Sequence, residues 1–169
     1  LGVPFAERGR RLDEAIELIR LYWTEPSVTF HGRYYQAEAM AMDPKPVQAG
    51  GPPIWLGGSS EAALRRVGRL GDGWMAVGER PETVGDKVAV ITRAAEEAGR
   101  GPAAIGLQAL FGDVRDLEAL AAQAAGFRAA GFTWGSVDLT QLSAAGARNV
   151  DMLREALNRV KERIDREAA

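Results

Sequence analysis

Pro53-Ile-Trp-Leu-Gly-Gly-Ser-Ser-Glu-Ala-Ala-Leu-Arg-Arg-Val-Gly-Arg-Leu-Gly-Asp-Gly-Trp-Met-Ala-Val-Gly78 is the stretch that decides the fold of this chain. Ile54, Trp55 and Leu56 form an apolar run too short for a helix and bounded by Pro53 and Gly57, which predicts a buried parallel strand over 54–57. Gly57 and Gly58 let the chain turn sharply and leave no Cβ in a ligand's way. Ser59 and Ser60 stand where a helix cap belongs, ahead of Glu61 and the apolar row Ala63, Leu64, Val67 and Leu70. The helix over 60–70 stops at Gly71, and a second apolar strand follows over 74–78. A strand–turn–helix junction of this kind aims amide N–H groups and the positive end of a helix dipole at one point, which suits a phosphate. The same residues are also ordinary turn-and-cap chemistry, and the stretch alone leaves both readings open.

The alternation continues outward. A helix over 82–98 carries Val84, Val88, Ile91, Ala95 and Ala98 on one stripe and ends at Gly99. A strand over 104–111 alternates Ile105, Leu107, Ala109 and Phe111, and Asp116 caps a helix over 117–130 whose apolar row is Leu117, Leu120, Ala121, Ala124 and Phe127. A strand over 133–139 and a helix over 150–165, capped by Asn149, complete the series. Four successive strand–helix units imply a parallel sheet. Periodicity fits a barrel or an open doubly wound sheet equally.

The first third of the chain is organised differently. Leu12, Ala15, Ile16, Ile19, Tyr22 and Trp23 predict a helix over 6–23 with one apolar face. Residues 28–30 and 33–35 flank His31-Gly32 as a hairpin. From Gln36 to Pro53 the prolines at 44, 46, 52 and 53 predict loop.

The chain's 169 residues suit one domain with a sizeable core but fall short of the about 250 a complete (β/α)₈ barrel needs. A hydrophobic content of 46% and a net charge of −2, with 21 basic residues dispersed among 23 acidic ones, leave no basic footprint for nucleic acid. No apolar run approaches a membrane span. With no cysteine, the chain cannot form disulfides, thiolate metal sites or a thiol nucleophile, and the default compartment is the cytoplasm. Its opening on Leu1 rather than Met suggests a fragment or a processed chain.

The 53–78 stretch, together with residues 1–15, Phe30-His-Gly-Arg-Tyr-Tyr35, Pro44-Lys-Pro-Val-Gln48 and Gly71-Asp-Gly-Trp74, strongly resembles the luciferase-like monooxygenase superfamily. The resemblance covers essentially the whole chain, and only the C-terminal part of a family member. It implies α/β architecture: a partial TIM-like barrel of about four parallel βα units, strands five to eight of the family barrel, preceded by a helix and a hairpin insertion. It implies an oxidoreductase or monooxygenase that uses coenzyme F420 or FMN, acts on a small organic substrate, and holds the cofactor phosphate at Gly57, Gly58, Ser59 and Ser60. Residues 1–15 and 30–35 look most like actinobacterial-type F420-linked members, which favours F420. The family's acid–base residues fall largely in the half that is absent, so no catalytic residue is named here.

If the strands belong to a barrel, their C-terminal ends form its active rim. That rim gathers Gly57 to Ser60, Val77, Gly78, Glu79, Gly112, Asp113 and Asp138 to Gln141. Trp74 reads as core filler better than as a cofactor contact. His31 is the sole histidine and so the first acid–base candidate, but a turn histidine is the better reading. Arg65 and Arg66 could neutralise a phosphate, yet their helical positions place them on the outside, and they are left out of the site. Asp13-Glu14 and Glu96-Glu97 are adjacent pairs that splay apart on a helix, read as solvated faces and not as metal ligands. Four strands alone leave an apolar inner face wet, so the chain is expected to pair with a second copy or with a complementary half-barrel chain; a non-catalytic half-barrel that binds a phosphate-bearing ligand is the alternative function.

Overall fold

The computed structural model describes residues 2–111 and 116–138, together with residues 154, 158, 159, 161, 162, 165 and 166, which are helical. Gly112, Asp113, residues 139–141 and Asn149 lie outside the described residues, as does most of the helix expected over 150–165. The chain divides into two compact units, Leu1–Ile54 and Trp55–Ala169.

In the first unit a single 3₁₀ turn, Phe5–Glu7, leads into helix α1, Arg8–Thr24. Of the expected apolar face Ile16 is buried, whereas Leu12 and Ile19 remain 42% and 39% exposed. Strands β1, Val28–His31, and β2, Gln36–Met40, pair antiparallel, with Phe30 opposite Ala37 and His31 opposite Gln36. This corrects the hairpin read from sequence. Residues 33–35 are the turn, and the second strand begins at Gln36, where loop was expected. The cause is Glu14 on α1. Its carboxylate accepts the backbone N–H groups of Arg33 (3.0 Å), Tyr34 (2.8 Å) and Tyr35 (2.6 Å), so those residues cannot join a ladder. Glu14 is therefore a loop-holding group and not a solvated face; Glu96 and Glu97 are exposed as expected.

The second unit is a four-stranded parallel sheet in the order β3-β4-β5-β6: Trp55–Gly57, Gly73–Val77, Gly106–Phe111 and Trp134–Val137. Consecutive strands are neighbours, with no reversal of order, as in a barrel segment and unlike a doubly wound sheet. Helices α2 (Glu61–Leu70), α3 (Val84–Glu97) and α4 (Leu117–Ala129) connect them. Asp116 caps α4 by accepting the amides of Glu118 and Ala119, both at 3.0 Å.

Period-two alternation gives the sheet two different faces. On the helix-covered face Leu56, Trp74, Ala76, Ala109 and Phe111 are buried. There Phe127 of α4 meets Phe111 and Phe132 edge-on, with ring centres 5.8 and 5.0 Å away, and Trp74 lies 5.8 Å from Phe132. Gly68 lets α2 and α3 approach closely, since a Cβ there would stand 2.4 Å from the Ile91 carbonyl oxygen. On the opposite, open face the Trp55 ring lies across two neighbouring strands. A Cβ at Gly73 or Gly106 would come within 2.4 or 2.5 Å of it. Val77 and Trp134, on that face by register, are 55% and 63% exposed.

Candidate functional site

The loop between β3 and α2 forms as the sequence predicts, residue by residue. Strand pairing ends at Gly57, opposite Met75. Gly58 has φ +107°, a conformation side chains rarely adopt, and a Cβ would also stand 3.0 Å from the Ala63 Cβ. Ser60 is the cap: its Oγ accepts the Ala63 amide at 3.3 Å, and α2 begins at Glu61. Residues 57–60 are exposed, and beyond the strand the Gly58 and Ser59 amides have no hydrogen-bond partner among the described residues.

Two side chains from elsewhere hold this loop. Trp74 Nε1 donates to the Gly58 carbonyl at 3.1 Å. Trp74 is thus the core residue expected, fully buried, and its one polar atom reaches the loop. Ser59 Oγ donates to Glu79, whose other carboxylate oxygen accepts from Lys87 Nζ. The Glu79 side chain is only 6% exposed. Burial alone would raise its pKa; the hydrogen bonds from Lys87 and Ser59, with the Lys87 charge, outweigh burial and hold it below the ordinary 4.5. Sequence reasoning placed Glu79 on the rim without a role and missed Lys87, because nothing in the local pattern couples a post-strand carboxylate to a helix lysine eight residues on.

The remaining candidates fall away from the loop. Arg65 pairs with Glu61 on its own helix at 2.9 Å and lies 3.9 Å from Glu97. Asp72 of the Gly-Asp-Gly-Trp signature faces Arg100 at 3.4 Å, and Arg100 also donates to the Gly68 carbonyl at 2.8 Å, closing the turn between α2 and β4. His31 ends β1 with its Nδ1 3.3 Å from Gln36 and 3.4 Å from Glu38, in the exposed hairpin. A cavity of about 560 Å³ opens between β5, β6 and α4, lined by Phe111, Leu120, Phe127, Phe132 and Lys161 among others. It shares no lining residue with the loop. No described helix is long and apolar enough to cross a membrane.

A sequential parallel sheet with an open glycine–serine loop after its first strand defines an α/β barrel segment. The family model for luciferase-like monooxygenases matches residues 1–168, and the chain belongs to that family. It is 36% identical over 137 residues to the F420-dependent hydroxymycolic acid dehydrogenase of Mycobacterium tuberculosis, covering 79% of this chain and 36% of that protein. It is 37% identical over 122 residues to the FMNH2-dependent dimethylsulfone monooxygenase of Pseudomonas putida, covering 70% of this chain and 33% of that one. The chain spans about a third of the length of the curated relatives it matches. A solved F420-dependent secondary alcohol dehydrogenase in complex with an F420-acetone adduct shares the fold, with a TM-score of 0.61 at 21% identity, over 98% of this chain and 55% of that one.

Proposed function

We propose that this chain carries the cofactor-phosphate anchor of an F420- or FMN-dependent oxidoreductase acting on a small organic molecule, with F420 the favoured cofactor. The observation that supports it best is the loop itself: two amides without partners among the described residues, ahead of a helix N-terminus, one of them in a glycine conformation no other residue takes comfortably. The residues suit a phosphate. Gly58 and Ser59 would offer backbone N–H groups and Ser60 its hydroxyl proton, while Gly57 leaves open space where a Cβ would stand. The matched relatives named for F420 and for FMNH2 support the cofactor class, and the first of them favours F420. The cofactor, when bound, supplies the hydride or oxygen chemistry. The chain's own residues bind and orient its phosphate end. Titrating the purified chain with F420 and with FMN, read by absorbance and fluorescence, tests this directly: no binding of either removes the proposal.

The open face favours a second element of the same proposal. Val77 and Trp134 stand exposed on the same sheet face as Trp55, a face that would line a barrel interior. Several hundred Å² of such surface, at about 25 cal/mol per Å², is worth on the order of 10 kcal/mol, comparable with a domain's whole stability. A second copy or a complementary half-barrel chain would cover it. Light scattering at micromolar concentration tests this, and a stable monomer of the 169-residue chain contradicts it.

A further inference from the structure

Besides its amides, the proposed phosphate loop has a half-buried ion pair wired to it: Ser59 donates to Glu79, and Glu79 accepts from Lys87. The ordinary role of a loop serine beside a phosphate is to donate its proton to the anion. Here that proton is engaged by Glu79, which leaves Ser60, whose Oγ accepts from Ala63, as the loop's remaining hydroxyl donor. The Glu79 carboxylate lies one hydrogen bond from the loop, with its side chain 6% exposed and that of Lys87 27% exposed. A charge so placed acts on the loop at close range, where Coulomb energy is largest. Its carboxylate also stays ionised at neutral pH, because Lys87 and Ser59 outweigh the burial that opposes it. Arg80, the next residue along, is exposed and lies outside this wiring.

We infer that Glu79 is a positioning residue for the anion loop and sets the charge the loop accepts: the Ser59–Glu79–Lys87 relay fixes Ser59 with its amide available, and the carboxylate beside the loop favours a singly charged phosphodiester over a doubly charged phosphomonoester. The inference rests on the loop being the cofactor-phosphate site. It bears on the choice between the two cofactors, because F420 carries its phosphate as a diester and FMN as a terminal monoester, which is close to doubly charged at neutral pH. A change of one unit in local charge acts on the phosphate seated in the loop in proportion to that phosphate's own charge. A group that merely props up the fold would act on every ligand alike.

The test measures dissociation constants of F420, FMN and riboflavin, which has no phosphate, for the wild-type chain, Glu79→Gln and Ser59→Ala. Glutamine keeps an acceptor for Ser59 and removes the charge. Glu79→Gln should tighten F420 about threefold and FMN about tenfold, the square of the first effect, and leave riboflavin unchanged. Ser59→Ala keeps the charge and cuts the tie, and should weaken F420 and FMN by one common factor of about three to ten. If Glu79→Gln does not fold, as judged by circular dichroism, Lys87→Met carries the test with the sign reversed, weakening FMN more than F420. Equal effects of Glu79→Gln on F420 and FMN, or an effect on riboflavin as large, overturn the inference and leave the phosphate-loop reading standing. If the wild type binds none of the three, that reading falls and takes the inference with it.

Discussion

Trp74 Nε1 lies 3.1 Å from the carbonyl oxygen of Gly58, so the signature tryptophan of one strand holds the backbone of the loop that follows its neighbour. The bond joins two functions in one side chain. The ring fills the space between sheet and helices, and the indole N–H pins Gly58 at φ +107° with its carbonyl turned inward. Turning that carbonyl towards Trp74 keeps it away from any anion in the loop.

Trp74→Phe separates the two functions. The aromatic filling is largely kept while the donor is lost, which should cost about 1–3 kcal/mol from the Gly58 carbonyl losing its partner together with a smaller ring. Urea denaturation measures that loss. Binding of F420 or FMN should weaken more than that of riboflavin, and an unchanged ratio among the three would show that the tie does not shape the loop.

Gly58→Asp places a carboxylate and a Cβ where φ is +107° and the Ala63 Cβ is 3.0 Å away. The change should destabilise the chain by about 1–3 kcal/mol and abolish measurable phosphate-ligand binding, through strain and through like-charge repulsion. Gly58→Ala isolates the strain. If the alanine variant loses as much binding as the aspartate one, repulsion plays no part.

Two helix glycines should respond to alanine with opposite signs. At Gly68 the new Cβ would meet the Ile91 backbone oxygen at 2.4 Å and the Ala94 Cβ at 2.7 Å, so α2 and α3 must separate, at about 1–3 kcal/mol or more. At Gly85, in the first turn of α3, a Cβ meets nothing within 4 Å, and Gly85→Ala should gain up to about 1 kcal/mol. Thermal melting of both variants gives the comparison. A stabilised Gly68→Ala would contradict the close α2–α3 packing.

Glu14→Ala releases three backbone amides at once, those of Arg33, Tyr34 and Tyr35. Because Tyr34 and Tyr35 are only half-exposed, water replaces the lost bonds incompletely, and the loss should reach about 2 kcal/mol. Hydrogen exchange locates it: the amides of 33–35 should exchange faster while those of β4 and β5 stay as they were.

Acid should undo the Ser59–Glu79–Lys87 relay within a defined window. Glu79 has a folded pKa below its ordinary 4.5, so its carboxylate adds stability that is fully present above that value. The contribution is lost as pH falls through the lower, folded value. Stability plotted against pH should therefore decline more steeply below pH 4.5 in the wild type than in Glu79→Gln. Coincident slopes would show that Glu79 does not gain from its partners in the folded state.

The strand–helix series, the sequential order implied by the family resemblance, the caps at Ser60 and Asp116 and the glycine turn at 57–58 were all legible in the sequence. Each is a local matter: period-two and helical spacing, a capping oxygen reaching an amide two or three residues on, and a backbone conformation that glycine alone adopts freely. What the sequence left open is long-range. It did not show that Trp55 lies across Gly73 and Gly106, nor that Glu14 claims residues 33–35 and pushes the second hairpin strand out to Gln36–Met40. Nor did it show that Ser59 faces a carboxylate paired with a lysine. Such pairings join side chains from different elements, and spacing along the chain carries no record of which elements will meet. The local pattern thus determined where the glycine turn and the helix cap fall, and packing decided how the loop between them is tied and charged.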